Sequence, residues 1–461
     1  MRLEALQQPE RVRAVAADAF ALMRRLFPLL RSITGDGVRH TLDGVEAWIP
    51  LTRHEVPSGT PVFDWEVPNE WNVREAHVTD VATGRRLIDL RDHSLHLVSY
   101  STPLRARLTR AELDPHLHSL PEQPDAIPYR TSYYRETWGF CLSQRQRDAL
   151  AACGDGPFDV VIDGTLAPGH LTYAECRVPG ELEDEAVVYT HVCHPGLAND
   201  NLSGIAAAAA LARELLAGPR PRLTWRFVFA PGTIGALTWL ARHKAELPRL
   251  RAGLVIGLLG DGGALTYKRS RRGDALPDRA AELIVPAMGG RLIDFEPYGY
   301  DERQFCSPGF DLPFGRLTRS PNGAYPEYHS SADDLDLIRP EALAGSLQAL
   351  AALIGAIDAN QCWRNLSPKG EPRLGKRGLY GLTGGAGPGE FEHALLWLLN
   401  QSDGTRDLID IALRSKLPLP LLVRATAALH RADLLAPADA DLTFPPLLAS
   451  DLFPDTEGAT P

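Results

Sequence analysis

The sequence predicts a three-layer α/β core with a largely parallel mixed sheet, interrupted by a small β domain and followed by a C-terminal domain of short helices. Three observations carry this. From about residue 128 onward, near-continuously apolar strand-like runs alternate with helical runs, the pattern of a sheet covered on both faces. Residues 46–128 have another texture, with short runs rich in Val, Ile, Trp and Thr broken by Pro, Gly and Asn. After a Pro/Gly/Lys-rich stretch at 366–385 the texture changes again, to three short helical segments. A chain of 461 residues has room for two or three domains at roughly 150 residues each. The expected boundaries are 1–45 and 129–370 for the core, 46–128 for the insert and 371–461 for the C-terminal domain.

The elements follow in order. Val12, Val15, Phe20, Met23, Leu26 and Leu30 fall near one face of a helix over about 10–31, which gives way to the turn Thr34-Gly35-Asp36-Gly37. Within the insert, Ala76–Asp80 followed by ATGRRLIDL reads as a β-hairpin turning near Gly84. PFDVVIDGTL and HLTYAECRVPG read as two core strands joined through Pro168-Gly169. AVVYTHVCHP is a buried strand running into a polar loop, and GIAAAAALARELLAG is a helix ended by Gly218 and Pro219. The strand RLTWRFVFAP, the helix IGALTWLARHKAEL and the strand AGLVIGLLG continue the alternation. In such folds, sites form in loops at the carboxyl ends of strands. The middle pair of the C-terminal helical segments has the look of a helix-turn-helix.

Composition narrows the function. Hydrophobic content of 44% and charged content of 23% are ordinary globular values. The formal net charge is −10, from 48 basic and 58 acidic residues, so the chain has no general attraction to nucleic acid or anionic lipid. No run of about 18 apolar residues predicts a membrane span. The N-terminus, MRLEALQQPERVRAVAADAF, contains acids and reads as an amphipathic helix, not a signal peptide. Six scattered cysteines without a CxxC pair read as reduced, mostly buried thiols. The expectation is a cytoplasmic protein without nucleic-acid or membrane partners, and with nothing in its sequence against homo-oligomerisation.

The most informative segment is the loop THVCHPGLANDNLSG, residues 190–204, where a buried strand delivers His191, His194 and Asp200 just before a helix. Neutral imidazole and carboxylate suit a borderline metal such as zinc. Taken alone, two histidines at this spacing outside a helix more often cap the loop or hydrogen-bond the backbone than bind metal. A second loop, YPEYHSSADDLD at 325–336, again joins a histidine, His329, to acids. A thiol nucleophile at Cys193 fits less well, because that cysteine sits between two histidines of a metal-like loop.

The pairing of H…AND-N-x-S-G with a late YHSSADDLD resembles the zinc-dependent aminopeptidase superfamily with its two-metal α/β core. The longer segments DWEVPNEWNVREAHV, YSTPL, SYYRETWGFCLS, HVCHPGLANDNLSG, YDERQFCSPGFDLPFG and PEYHSSADDLD narrow this to the bacterial aminopeptidase-like proteins known as a domain of unknown function. That group has an inserted β domain and a C-terminal winged helix, and the likeness runs along nearly the whole chain. The resemblance implies one or two zinc ions, with Asp200 as bridging ligand and His329 as late ligand. For the early ligand, the strand-end position favours His191 and proximity to the AND loop favours His194. Asp261, in Leu259-Gly-Asp-Gly-Gly263, is a candidate carboxylate ligand or a turn residue, and Asp333 is placed to orient the His329 imidazole.

One departure stands out. The superfamily carries its proton-accepting acid at the end of the strand here written RFVFAPGTIGA, where this chain has Ala230-Pro231-Gly232-Thr233; the aminopeptidase-like group often has a glutamate at the Gly232 position. Glu327, two residues before His329, is the first substitute as catalytic acid, followed by Glu302 and Glu136. Asp301 or Glu302 would hold a substrate ammonium, Arg303 a carboxylate, and Tyr134 and Glu136 would line the same cleft. The helix from Pro418 carries only Arg424, His430 and Arg431 as basic groups, too few for a DNA reader. The function expected is a zinc-dependent aminopeptidase-like hydrolase cleaving a small peptide or aminoacyl amide next to a free amine; the alternative is a binding or scaffold protein that kept this fold.

Overall fold

The computed structural model describes residues 2–379 and 389–438. At its centre is an eight-stranded mixed sheet. Its spatial order is Thr52–Pro57, His170–Val178, Thr224–Ala230, Glu185–His191, Leu250–Ile256, Phe314–Thr318, Thr266–Lys268 and Arg291–Ile293. Glu185–His191 runs parallel to both neighbours, and Phe314–Thr318 continues the parallel set, whereas the pairs at the Thr52 edge are antiparallel.

The strands are buried on both faces, and successive side chains alternate between two cores. Ala186 and Val188 join the core formed with helices Pro9–Leu26, Gly204–Leu216 and Pro340–Ala359, while Val187 and Tyr189 join the core on the opposite face. The unbroken alanine run of Gly204–Leu216 lets that helix sit close to the sheet. This confirms the three-layer α/β arrangement. Pro340–Ala359 is long and apolar enough to cross a membrane by length and composition, but 72% of its most apolar window is buried within this core.

Several expected elements change. The first helix stops at Leu26, because Pro28 has no N–H to extend it; its buried face uses Ala16, Ala19 and Leu22, with Phe20 only partly covered. Gly35, at φ +93°, starts a second helix, Asp36–Glu46, that the sequence reading missed. The hairpin at Gly84 is present, with His77 opposite Asp89 and Val78 opposite Ile88.

The boundaries of the insert do not follow the strand pairing. Thr52–Pro57, assigned to the insert, is an edge strand of the main sheet. Phe158–Ala167, assigned to the core, pairs with Glu70–Asp80 and Leu104–Leu108 in a separate four-stranded sheet. The two strands around Pro168-Gly169 therefore belong to different sheets. Likewise Cys362–Asn365, assigned to the core, is the middle strand of a three-stranded sheet with Asp403–Asp407 and Leu435–Pro437. With helices Glu390–Gln401, Leu408–Ser415 and Leu419–Arg431 it makes the winged-helix domain. Arg279 of the core joins this domain to the rest through Asp407 at 2.8 Å and Asp410 at 2.5 Å. The Pro/Gly/Lys-rich stretch beyond residue 379 and residues 439–461 lie outside the described residues.

Candidate metal centre

His191 closes the central strand Glu185–His191, opposite Ala230 of its neighbour. The chain then loops through His194 to Asp200 and enters the helix Gly204–Leu216. Side-chain bonds hold this loop in shape. Asn201 Nδ2 donates to Thr190 Oγ1 at 2.8 Å and to the His191 carbonyl at 2.9 Å, and Ser203 Oγ donates to the Asn199 carbonyl at 2.6 Å. Arg31 Nε donates to the His194 carbonyl at 2.8 Å from the other side. Gly196, at φ +54°, has no room for a side chain, because Ser94 of the insert would lie 2.3 Å from its Cβ. The insert thus packs directly on the loop.

Asp200 is fully buried and three imidazoles surround its carboxylate. Oδ1 lies 2.8 Å from His191 Nε2 and 3.2 Å from His194 Nδ1, and Oδ2 lies 3.2 Å from His329 Nε2. The last contact lacks hydrogen-bond alignment, so Asp200 Oδ2 and His329 Nε2 are both left without a hydrogen-bond partner. Orphaned buried polar atoms are costly. Burial alone would raise the Asp200 pKa, but the His194 charge and the His191 hydrogen bond hold it well below the usual carboxylate range. Burial pushes His191 down to about 4, only partly offset by Asp200. Burial acts on His194 in the same sense, and there the Asp200 charge wins and raises it. A buried carboxylate flanked by imidazoles, which bind metal in their neutral form, is a set of ligand atoms suited to a cation.

His329 arrives on the loop before Pro340–Ala359, at φ +55°. Its ring stacks on Tyr328 with centroids 3.9 Å apart and stands edge-on to Tyr129 at 5.1 Å. Tyr129 also packs on His194, and its backbone N–H donates to the His329 carbonyl at 2.8 Å. Asp333 does not touch the His329 ring as expected. Its carboxylate accepts from the backbone N–H groups of Asn199 at 2.6 Å and Asp200 at 3.0 Å, so it ties the late loop to the early one. Burial pushes Asp333 up to about 7. Asp261 is drawn into a separate network. It accepts from Asn199 Nδ2 at 2.9 Å, Ser320 Oγ at 2.7 Å and Gly263 N–H at 2.6 Å, and it is not part of the His191, His194 and Asp200 cluster. Its carboxylate positions Asn199, the neighbour of Asp200.

The strand end without an acid is filled in another way. The Tyr300 hydroxyl occupies the space over Gly232, 1.9 Å from where a Cβ would stand. That hydroxyl lies 3.4 Å from His194 Nε2 and 3.6 Å from Cys193 Sγ, and the ring packs on His191 with centroids 4.0 Å apart. Burial raises the Tyr300 pKa far above the ordinary tyrosine value, so the phenol keeps its proton. Tyr129 lines the centre without having been singled out by the sequence, whereas Tyr300 opens the polar, aromatic-flanked segment Tyr300–Cys306 that the sequence suggests as a pocket wall. Tyr129, next to a candidate ligand in space and far from it along the chain, gives no local signal.

Two of the acids expected to act on substrate, Asp301 and Glu302, are engaged within the protein. Asp301 is fully buried and accepts from the Thr233 N–H at 2.7 Å, supporting a β-branched residue at φ +57°. Burial pushes Asp301 up to about 7. Glu302, also fully buried, is bound by Lys268 at 2.6 Å and by the Tyr300 N–H at 3.1 Å. Arg303 and Glu136 are exposed. Tyr134 is exposed as well, packing against Trp65 of the insert and donating to the Glu66 carbonyl at 3.0 Å. Glu327 is half-buried on the His329 loop, and its side chain makes no ion pair or hydrogen bond among the described residues.

Comparison with known proteins agrees with this fold. The profile of the domain of unknown function DUF4910 matches residues 20–360, and that of a winged helix-turn-helix matches residues 361–437. A Clostridium acetobutylicum protein, provisionally named a polysaccharide biosynthesis protein with aminopeptidase-like domain, is 45% identical over 91% of this chain and 96% of its own. A crystal structure from the same organism, of a provisionally named peptidase, superposes with a TM-score of 0.87 at 42% identity, covering 94% of this chain and 100% of that one. A zinc aminopeptidase from Bacillus subtilis shares the fold, with a TM-score of 0.54 at 14% identity over 74% of this chain and 94% of that enzyme.

Proposed function

The chain belongs to the DUF4910 family, and from that premise we propose that it is a zinc-dependent hydrolase of the aminopeptidase type, cleaving a small peptide or aminoacyl amide. The observation that carries this is the Asp200 carboxylate among His191, His194 and His329. Donor atoms around a tetrahedral zinc with bonds of about 2.0–2.1 Å stand about 3.3 Å apart. The donor atoms of His191, His194 and Asp200 all lie within 4.8 Å of one another, and His329 Nε2 faces the other carboxylate oxygen at 3.2 Å with neither atom hydrogen-bonded, which supports such an ion.

His191, His194, Asp200 and His329 would hold the metal. Zinc at such a site supplies Lewis acidity, polarising an amide carbonyl and acidifying water. The chain's own groups do the rest. Asp333 fixes the backbone of Asn199 and Asp200, so the carboxylate is already oriented. Tyr129 and Tyr328 hold the His329 ring. The protonated Tyr300 hydroxyl, beside His194, is placed to donate a hydrogen bond to negative charge developing on the substrate oxygen. Glu327 takes the water proton, as the acid on the His329 loop whose side chain is uncommitted. Asp301 and Glu302 are used inside the protein and are not assigned to the substrate amine. The provisional name of the C. acetobutylicum relative favours an amide met in polysaccharide biosynthesis.

The test is hydrolysis of a leucyl anilide by the full chain loaded with zinc. Activity lost with a chelator, restored by zinc, and lowered in kcat by Glu327→Gln supports the proposal. Tyr300 in the place of the strand-end acid favours a second reading, a binding protein that kept the fold. Stoichiometric zinc without hydrolysis of any aminoacyl amide would select it.

A further inference from the structure

A cavity of about 190 Å³ lies beside the metal centre, lined by Lys268, Arg316, Thr318, Tyr298 and Asn322 among others. Two of its walls reach the histidines through one tyrosine each. The Arg316 guanidinium sits 5.9 Å from the Tyr300 ring centroid, and that ring packs on His191. Asn322 Nδ2 donates to Tyr328 Oη at 3.2 Å, and Tyr328 stacks on His329. At well under the ~300 Å³ of a whole small-molecule pocket, it has room for one substituent of a larger ligand.

Its lining holds two cations, Lys268 and Arg316, and one acid, Glu296, which has no ion pair with either. Lys268 and Arg316 are register partners on adjacent strands, so two cations stand side by side. Like charges directly opposite each other cost stability. The acid reaching both is Glu302, and it is committed chiefly to Lys268 at 2.6 Å. The Lys268 ammonium is saturated, giving its other protons to the carbonyls of Glu296 at 2.8 Å and Tyr298 at 2.7 Å. Arg316 is not. It is 5% exposed, its Nε has no hydrogen-bond partner among the described residues, and its Nη1 lies 3.7 Å from Glu302, beyond hydrogen-bond reach. Arg226, similarly buried, is by contrast bound to Glu185 through Nε and Nη2 at 3.0 Å and to Glu175 through Nη1 at 3.2 Å. Asn322 Oδ1 is likewise buried without a partner. An unsatisfied guanidinium lining a cavity is an incomplete ion pair.

We propose that this cavity is the subsite for a carboxylate carried by the substrate, received by the fork of Arg316, with the free end of the Asn322 amide bonding a neighbouring polar group. That the bound molecule is a substrate rests on the hydrolase reading; the anion site itself does not. The probes are an isosteric pair, glutamyl and glutaminyl anilide, with glutarate and glutaramide as unreactive counterparts. Zinc-loaded wild type should hydrolyse the glutamyl anilide with kcat/KM about tenfold above the glutaminyl one, as expected for one charged hydrogen-bonded contact. Glutarate, and not glutaramide, should raise its melting temperature. Arg316→Gln should bring the kcat/KM ratio to about one and abolish the glutarate shift, and Arg316→Lys, which keeps the charge and the fold but not the fork, should restore only part of each. Equal turnover of both anilides with no glutarate shift overturns the subsite and leaves the hydrolase reading standing. A glutarate shift lost in Arg316→Gln, with neither anilide cleaved, upholds the subsite and overturns the hydrolase.

Discussion

The phenol oxygen of Tyr300 stands 1.9 Å from the point where a side chain on Gly232 would begin. The two residues are complementary, since a glycine at 232 is what admits the hydroxyl to the place beside His194. Gly232→Glu should therefore lower stability by about 1–3 kcal/mol, the usual cost of forcing atoms into filled space, as read by urea unfolding. Combining it with Tyr300→Ala should recover most of that loss and tighten zinc binding, because an acid then has room near the histidines. A single variant as stable as wild type would mean that Tyr300 moves aside freely.

Zinc should raise the melting temperature of the wild-type protein, by the equivalent of about 2.7 kcal/mol at a hundredfold excess over Kd. Asp200→Asn and His329→Ala should lose this stabilisation and the bound metal measured by elemental analysis. Both should retain the circular dichroism of the folded chain, because the cores on either side of the sheet do not depend on the site.

Asp333 offers a test of how the two loops are joined. Asp333→Ala leaves the N–H groups of Asn199 and Asp200 without their acceptor, at a cost of roughly 2 kcal/mol or more. It should also weaken zinc binding although it removes no ligand. Asp333→Asn, which keeps one acceptor oxygen, should fall between it and wild type in both measurements.

Asp301 predicts a pH dependence. Burial raises its pKa in the folded protein from 3.8 to about 7, so folding favours its protonated form. Its stabilising contribution is fully present below pH 3.8 and is lost as the pH rises through about 7. Asp301→Asn keeps an acceptor for the Thr233 N–H and does not titrate. The variant's melting temperature should therefore rise relative to wild type across that interval and then level off. Parallel profiles would show that Asp301 is ionised in the folded state throughout.

Local sequence was enough for the alternation that makes three layers, the short C-terminal helices, and the loops that carry His191, His194, Asp200 and His329; the winged helix came from the family resemblance. These features are short-range. Apolar periodicity reports which faces are covered, and a strand ending in a histidine loop fixes where the donors emerge. Strand pairing crosses the expected edges at 46, 129 and 371 for a physical reason: Thr52–Pro57, Phe158–Ala167 and Cys362–Asn365 all have strand-like composition, and composition does not say which sheet a strand will join.

The roles of the other polar residues were decided by the tertiary structure. Asp261, Asp301, Glu302 and Asp333 are chemically interchangeable as free acids, and what separates them is the partner that folding brings: Asn199, the Thr233 N–H, Lys268 and the backbone of Asp200. Tyr300 over Gly232 and Arg316 without a hydrogen bond depend in the same way on elements far apart in the chain. A sequence states which groups can donate, accept or ionise. Whether each is already satisfied, and so whether any capacity is left for a metal or a substrate, is set by the packing of distant segments against one another.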